Sequence, residues 1–226
     1  MKFIKITTLL SLSAIALMGA SQVTFAEDAP AGGDTPAKNP TSKGIVKLTA
    51  GDGSAITPPI DKDTPDEDIT NQHGPLSIDV APNFDFGTDK IGVGTTDYPI
   101  KNTNNPYAQV TDSRGTGSGW HLRAKITEFE TADKSNKLTG ATLTLVSKEL
   151  QTTNPQGVAF RAPVAESITL NDSPQNLLSA AAGNGLGTWA NYFDKDASKL
   201  TIPGGNLIGE YTATLEWSLA TTPDAK

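Results

Sequence analysis

The 226-residue chain contains no cysteine. That absence excludes disulfides, thiolate metal sites and a thioether-linked lipid anchor. Histidine is scarce as well: His73 falls in a loop pattern, and His121 sits one position after a tryptophan in a strand pattern. A Ser-His-Asp triad would have to use one of these two, and no nucleophile elbow accompanies either. A zinc site would have two histidines at no recognisable spacing. Both read as surface histidines. Positive charge is also short, with 18 Lys and Arg against 25 Asp and Glu and a net charge of −7. Binding to phosphate backbones or to anionic lipid needs the opposite balance, so neither nucleic acid nor a membrane surface is expected as a partner. Long apolar helical stretches are missing too. No run of ten or more residues keeps a convincing helical period.

The N-terminus has a recognisable design. Lys2 and Lys5 precede an apolar run from Ile6 to Ala20, and Thr24-Phe25-Ala26 offers small residues at the two positions a signal peptidase reads. This predicts a secretory signal peptide over residues 1–26, since the apolar run is shorter than the ~20 residues of a membrane span. Cleavage after Ala26 would remove two lysines and no acid, leaving 200 residues and moving the net charge from −7 to −9. Residues 27–43, rich in Ala, Gly, Pro, Asp and Lys, read as a disordered leader. The remainder, 44–226, reads as one domain, large enough to bury a core without disulfides. Its C-terminal residues, 221–226, show no hydrophobic tail and no covalent sorting signal, so no direct lipid anchor is expected.

Within 44–226 the pattern is that of strands. Gly44 to Thr49 alternates weakly. Residues 57–73 return to proline and acid, with Asp61, Asp63, Asp66, Glu67 and Asp68 close together. They lack the Gly and the terminal Glu of a calcium loop, and read as a solvated linker. From Gly74 onward apolar and polar residues alternate: Leu76, Ile78 and Val80; Tyr107 to Thr111; Trp120, Leu122, Ala124 and Ile126; Leu143 and Leu145; Ile168 and Leu170; Leu200 and Ile202. The clearest run is Tyr211, Ala213, Leu215, Trp217 and Leu219. A period of two marks strands with one buried face. Turn signals at Thr139-Gly140, Asn154-Pro155 and Pro203-Gly204-Gly205 separate them. Leu177 to Ala182 reads as a single helical turn. The expected fold is all-β: an antiparallel sandwich, Greek-key-like or barrel-like.

Chemistry-bearing motifs are few. Arg114 to Gly119 resembles a glycine-rich phosphate cradle, but it leads into a strand pattern where a dinucleotide site needs a helix. Asp85-Phe86-Gly87 has none of the other parts of a kinase. With 25 acids, some carboxylate pair would satisfy the spacing of a glycoside hydrolase by chance, and nothing singles one out. Trp189 lies in a Gly-flanked aromatic cluster, 185–193, and is expected nearer the surface than Trp217, which shares a strand face with Leu215 and Leu219.

Two tripeptides carry more information. Trp120-His121-Leu122 and Trp217-Ser218-Leu219 each place Trp and Leu on one face of a strand. The first closes the segment Val110 to Leu122, and the second closes Tyr211 to Leu219 near the C-terminus. With these segments, Gly74 to Asp79 and Asn83 to Gly87, the chain resembles the WxL-domain cell-surface proteins of Gram-positive bacteria. The resemblance implies an exported, non-catalytic protein without cofactor or metal. It would be held at the cell wall non-covalently through peptidoglycan, and would work beside a membrane-anchored surface protein that engages the same domain, in a complex that could serve adhesion. The motif residues Trp120, Leu122, Trp217 and Leu219 are expected to face inward and to join distant segments. For contact with the wall, the candidates are Asp112, Arg114 and Trp189. Asp112 and Arg114 would form either a fork for a stem-peptide carboxylate or a mutual ion pair holding their loop. Two other readings stand beside this one: an interaction module that meets the wall only through its partner, and a carbohydrate hydrolase.

Overall fold

The computed structural model describes residues 40–155 and 161–221. The region read as a signal peptide and most of the leader lie outside the described residues. The chain divides into two units, 1–46 and 47–226. In the first, residues 40–46 have no regular secondary structure and are exposed. The strand expected over 44–49 is absent; Ile45, Val46 and Leu48 are all exposed. Alternation over six residues makes a strand only where a partner supplies the ladder hydrogen bonds.

The second unit is built from strands. In chain order they are β1 (Leu76–Val80), β2 (Thr96–Pro99), β3 (Tyr107–Asp112), β4 (Trp120–Ile126), β5 (Thr142–Leu145) and β6 (Ser147–Thr152), then β7 (Val164–Ala165), β8 (Ile168–Leu170), β9 (Gln175–Ala180), β10 (Gly187–Phe193), β11 (Lys199–Ile202) and β12 (Leu215–Ala220). No α-helix occurs among the described residues, and no helix there is long and apolar enough to cross a membrane. The strands form three four-stranded sheets, ordered β1-β3-β10-β6, β2-β11-β5-β8 and β12-β4-β9-β7. Every ladder is antiparallel. The antiparallel all-β reading holds, with three sheets in place of the two of a simple sandwich.

One apolar core joins the sheets. Val110 and Phe193 come from the first, Leu143, Leu145 and Leu170 from the second, and Trp120, Leu122, Ala124 and Leu178 from the third. The alternation in β4 explains its place: Trp120, Leu122, Ala124 and Ile126 are all buried on one face. The helical turn expected over 177–182 is not formed: 177–180 belong to β9, and 181–182 lead into the turn after it. A register shift opposite Leu122 and Arg123 inserts Leu177 as an extra residue, so Leu177 and Leu178 are both fully buried. Consecutive buried leucines imitate a helical face, which is why periodicity misplaced them.

The acidic segment 57–73 is not a linker. It lies over the outer face of the first sheet. Gln109 on β3 accepts a hydrogen bond from the Ile60 amide at 2.8 Å and donates one to the Pro58 carbonyl at 3.0 Å. Ile60 packs on a second small cluster of Val80, Tyr107, Ala190 and Tyr192. Asp68, in a 3-10 turn over Asp66–Asp68, is buried and accepts from the Asn83 amide at 2.9 Å and from its side chain at 2.7 Å. The clustered acids hid this docking, because its anchors are backbone groups met by one distant glutamine. Beneath the strap, Asp79 is 2% exposed and takes part in no ion pair among the described residues. It accepts from Ser77 (2.7 Å), Thr111 (2.6 Å) and Gln109 (3.1 Å), and burial raises its pKa above the ordinary aspartate value despite these donors.

Candidate binding groove

The two Trp-x-Leu tripeptides are neighbours. β12 pairs with β4 so that Leu219 faces Leu122, Trp217 faces Ala124 and Leu215 faces Ile126. All of these side chains belong to or pack on the main core. Trp120 is fully buried, and its indole N–H donates to the Gly185 carbonyl at 3.0 Å. Trp217 and Leu219 are half-buried, because β12 is the edge strand of its sheet and has no further strand beyond it among those described. His121, expected at the surface, is 6% exposed; it is held within the central strand β4 between β9 and β12. His73 is exposed.

Asp112 and Arg114 form an ion pair with each other. The Arg114 Nε and Nη2 reach the two Asp112 oxygens at 3.0 and 2.8 Å, and Nη2 also donates to the Gly119 carbonyl at 2.9 Å. The Asp112 carboxylate is completely buried and the Arg114 side chain is 14% exposed. Hydrogen bonding to Asp112 raises the Arg114 pKa further. Arg114 Nη1 lies 3.5 Å from the carbonyl of Thr221, just past β12. The pair thus closes the glycine-rich loop on itself and ties it to the C-terminal strand. Trp189, expected near the surface, is 6% exposed in the main core, its indole donating to the Leu186 carbonyl at 2.9 Å. Its strand lies between β3 and β6, and the glycines before Trp189, Gly183, Gly185 and Gly187, serve the turn that enters the strand.

The structure offers a different concave surface, an open groove of about 1540 Å³. None of Asp112, Arg114, Trp120, Trp189 or Trp217 lines it; Leu215 of β12 does. One wall is the acidic strap around Asp61 to Asp68, another is the segment 83–91 after β1, and a third is 206–213 before β12. Phe84, Phe86, Phe129, Tyr98 and Tyr211 supply aromatic surface. Phe86 meets Phe129 edge-on at 6.4 Å, and Phe84 meets Phe193 at 5.9 Å. Phe84 and Phe86 are half-buried while Asp85 between them is exposed, as strand-like alternation requires.

Hydrogen bonds fix these walls in place. Asn102 accepts from the Asp85 amide at 2.9 Å and donates to the Asn83 carbonyl at 3.0 Å, and the Lys101 amide donates to Asp85 O at 2.7 Å. Tyr211 donates to the Leu207 carbonyl at 3.0 Å. The signal for this groove was present in Asn83-Phe84-Asp85-Phe86-Gly87. Nothing local, however, says that 57–68 and 206–213 complete it.

Fold and groove together define an all-β domain with an aromatic surface cleft and a structural core built on paired Trp-x-Leu strands. Comparison with family models matches residues 35–223 to the WxL domain, described as surface cell wall-binding. The chain belongs to this family and is a cell-wall-binding domain of the cell surface. Comparisons with curated proteins and with solved structures found no match.

Proposed function

We propose that the protein is exported, with removal of residues 1–26 ahead of the leader 27–43 and the domain 44–226. It is then retained on the cell wall by non-covalent binding to peptidoglycan, without catalysis, within a surface complex. The family match across 35–223 carries this reading. The groove supports it physically: at about 1540 Å³ it is larger than the ~300–1,000 Å³ of small-molecule pockets, which leaves room for a segment of a polymer. Trp120, Leu122, Trp217 and Leu219 act as structural residues, and Asp112 with Arg114 as the clasp of their loop. Washing intact cells with a chaotrope should release the protein, and wall-hydrolase treatment should not be needed. Retention through the wash until the wall is digested would indicate covalent attachment.

One observation favours a second arm to this reading. β12 presents an edge that no strand among the described residues pairs, with Trp217 and Leu219 half-exposed beside it. Such an edge can accept a strand from a membrane-anchored partner protein. A partner that protects β12 amides from hydrogen exchange would support this; protection confined to other strands would contradict it.

A further inference from the structure

The groove's charge is one-sided. Seven carboxylates line it against a single lysine, Lys101, which lies 3.7 Å from Asp89. Asp63, Glu67 and Glu210 are exposed and take part in no ion pair among the described residues. No group of three carboxylates there is close enough to share a metal ion. Carboxylates spread over all three walls of a groove that aromatic rings also line suit separate monovalent cations. An ammonium is stabilised by carboxylates and by aromatic faces, and the groove's lining supplies both residue types. An anionic group placed beside these carboxylates would be repelled. The cationic fork that could have taken a carboxylate, Arg114, is already engaged by Asp112 and by the Gly119 carbonyl.

We infer that the groove binds an extended peptide bearing primary ammonium groups, namely the stem peptides of peptidoglycan with the free amines of their diamino acids. This inference rests on the wall-binding reading and specifies its chemistry: amine recognition by carboxylates, with the peptide's apolar parts on the aromatic floor. The glycan strand is then a tether for the stem and not the group recognised.

Muramidase-solubilised peptidoglycan with lysine-containing stems, stripped of protein and teichoic acid, is titrated calorimetrically into the purified chain. It is used native and after acetylation of its amines. Acetylation should weaken binding ~10-fold or more, about the combined effect of a few partly exposed charge contacts. A D63N/E67Q/E210Q variant, altered only at exposed positions, should lose a similar factor toward native fragments and bind acetylated fragments as the parent does. Equal affinity for native and acetylated fragments would overturn the amine assignment and leave wall binding intact. Failure of both forms to bind would overturn the wall-binding reading and this inference with it.

Discussion

Leu122 and Leu219 face each other across the β4–β12 ladder, 97 positions apart in the chain. The antiparallel register sets Trp120 on one side of this leucine pair and Trp217 on the other. The two tripeptides form one structural unit that fastens the C-terminal strand to the middle of the domain. Their burial is unequal, and that inequality orders the effects of substitution.

Trp120→Ala removes a fully buried indole and its hydrogen bond to Gly185, and should cost ~3–5 kcal/mol. Trp217→Ala removes a half-buried ring at a sheet edge and should cost less, ~1.5–3 kcal/mol. Urea unfolding of both variants checks the order. A larger loss at Trp217 than at Trp120 would contradict this order.

Gly185 has φ +73° and accepts the Trp120 hydrogen bond. A Cβ there would fall 2.4 Å from the Ala180 Cβ and 2.7 Å from the Trp120 Nε1. Gly185→Ala should therefore displace the indole, red-shift tryptophan emission and lower the urea midpoint. Unchanged emission and midpoint would show that the loop can move away without cost.

Removing Arg114 leaves the Asp112 carboxylate buried without its cation, so Arg114→Ala should cost ~3–5 kcal/mol. Asp112→Ala should cost a comparable amount, and the double variant much less than the two together. Such a thermodynamic cycle measures the clasp itself. Simple additivity would indicate that the two side chains act independently.

Asp79 gives the domain a pH signature. Its pKa is raised in the folded state, so above the unfolded value of 3.8 the fold holds a proton that the unfolded chain releases. Its contribution to stability therefore falls as pH rises through 3.8 and levels off above the folded pKa. Asparagine can accept from Thr111 and Gln109 and donate to Ser77 in the same place. Asp79→Asn should be as stable as the parent or more so at neutral pH, and its melting temperature should fall less as pH is raised from 3.5. A variant much less stable at neutral pH would contradict this.

What the sequence made legible follows from locality. Period-two alternation located β4 and β12 because in each one face is apolar and the other polar, and the repeated Trp-x-Leu named the family. β10 was opaque: both of its faces are buried, one by the core and one by the strap, so no alternation survives in Gly187 to Phe193. The strap itself looked solvated because Asp63, Asp66 and Glu67 are exposed, while Gln109 holds its backbone and Asp68 turns inward to Asn83. The pairing of Asp112 with Arg114 was within reach, since they lie two positions apart, although a fork for a ligand fits the same spacing. The groove was legible only in part. Phe84 and Phe86 could be read, but their meeting with 57–68 and 206–213 depends on the arrangement of three sheets.

The central claim is that this domain holds the wall by itself. Sedimentation of the purified chain with sacculi freed of all protein tests it most directly. The account predicts saturable co-sedimentation, reduced in D63N/E67Q/E210Q. A chain that stays in the supernatant, and sediments only when a membrane-anchored partner is added, would contradict it.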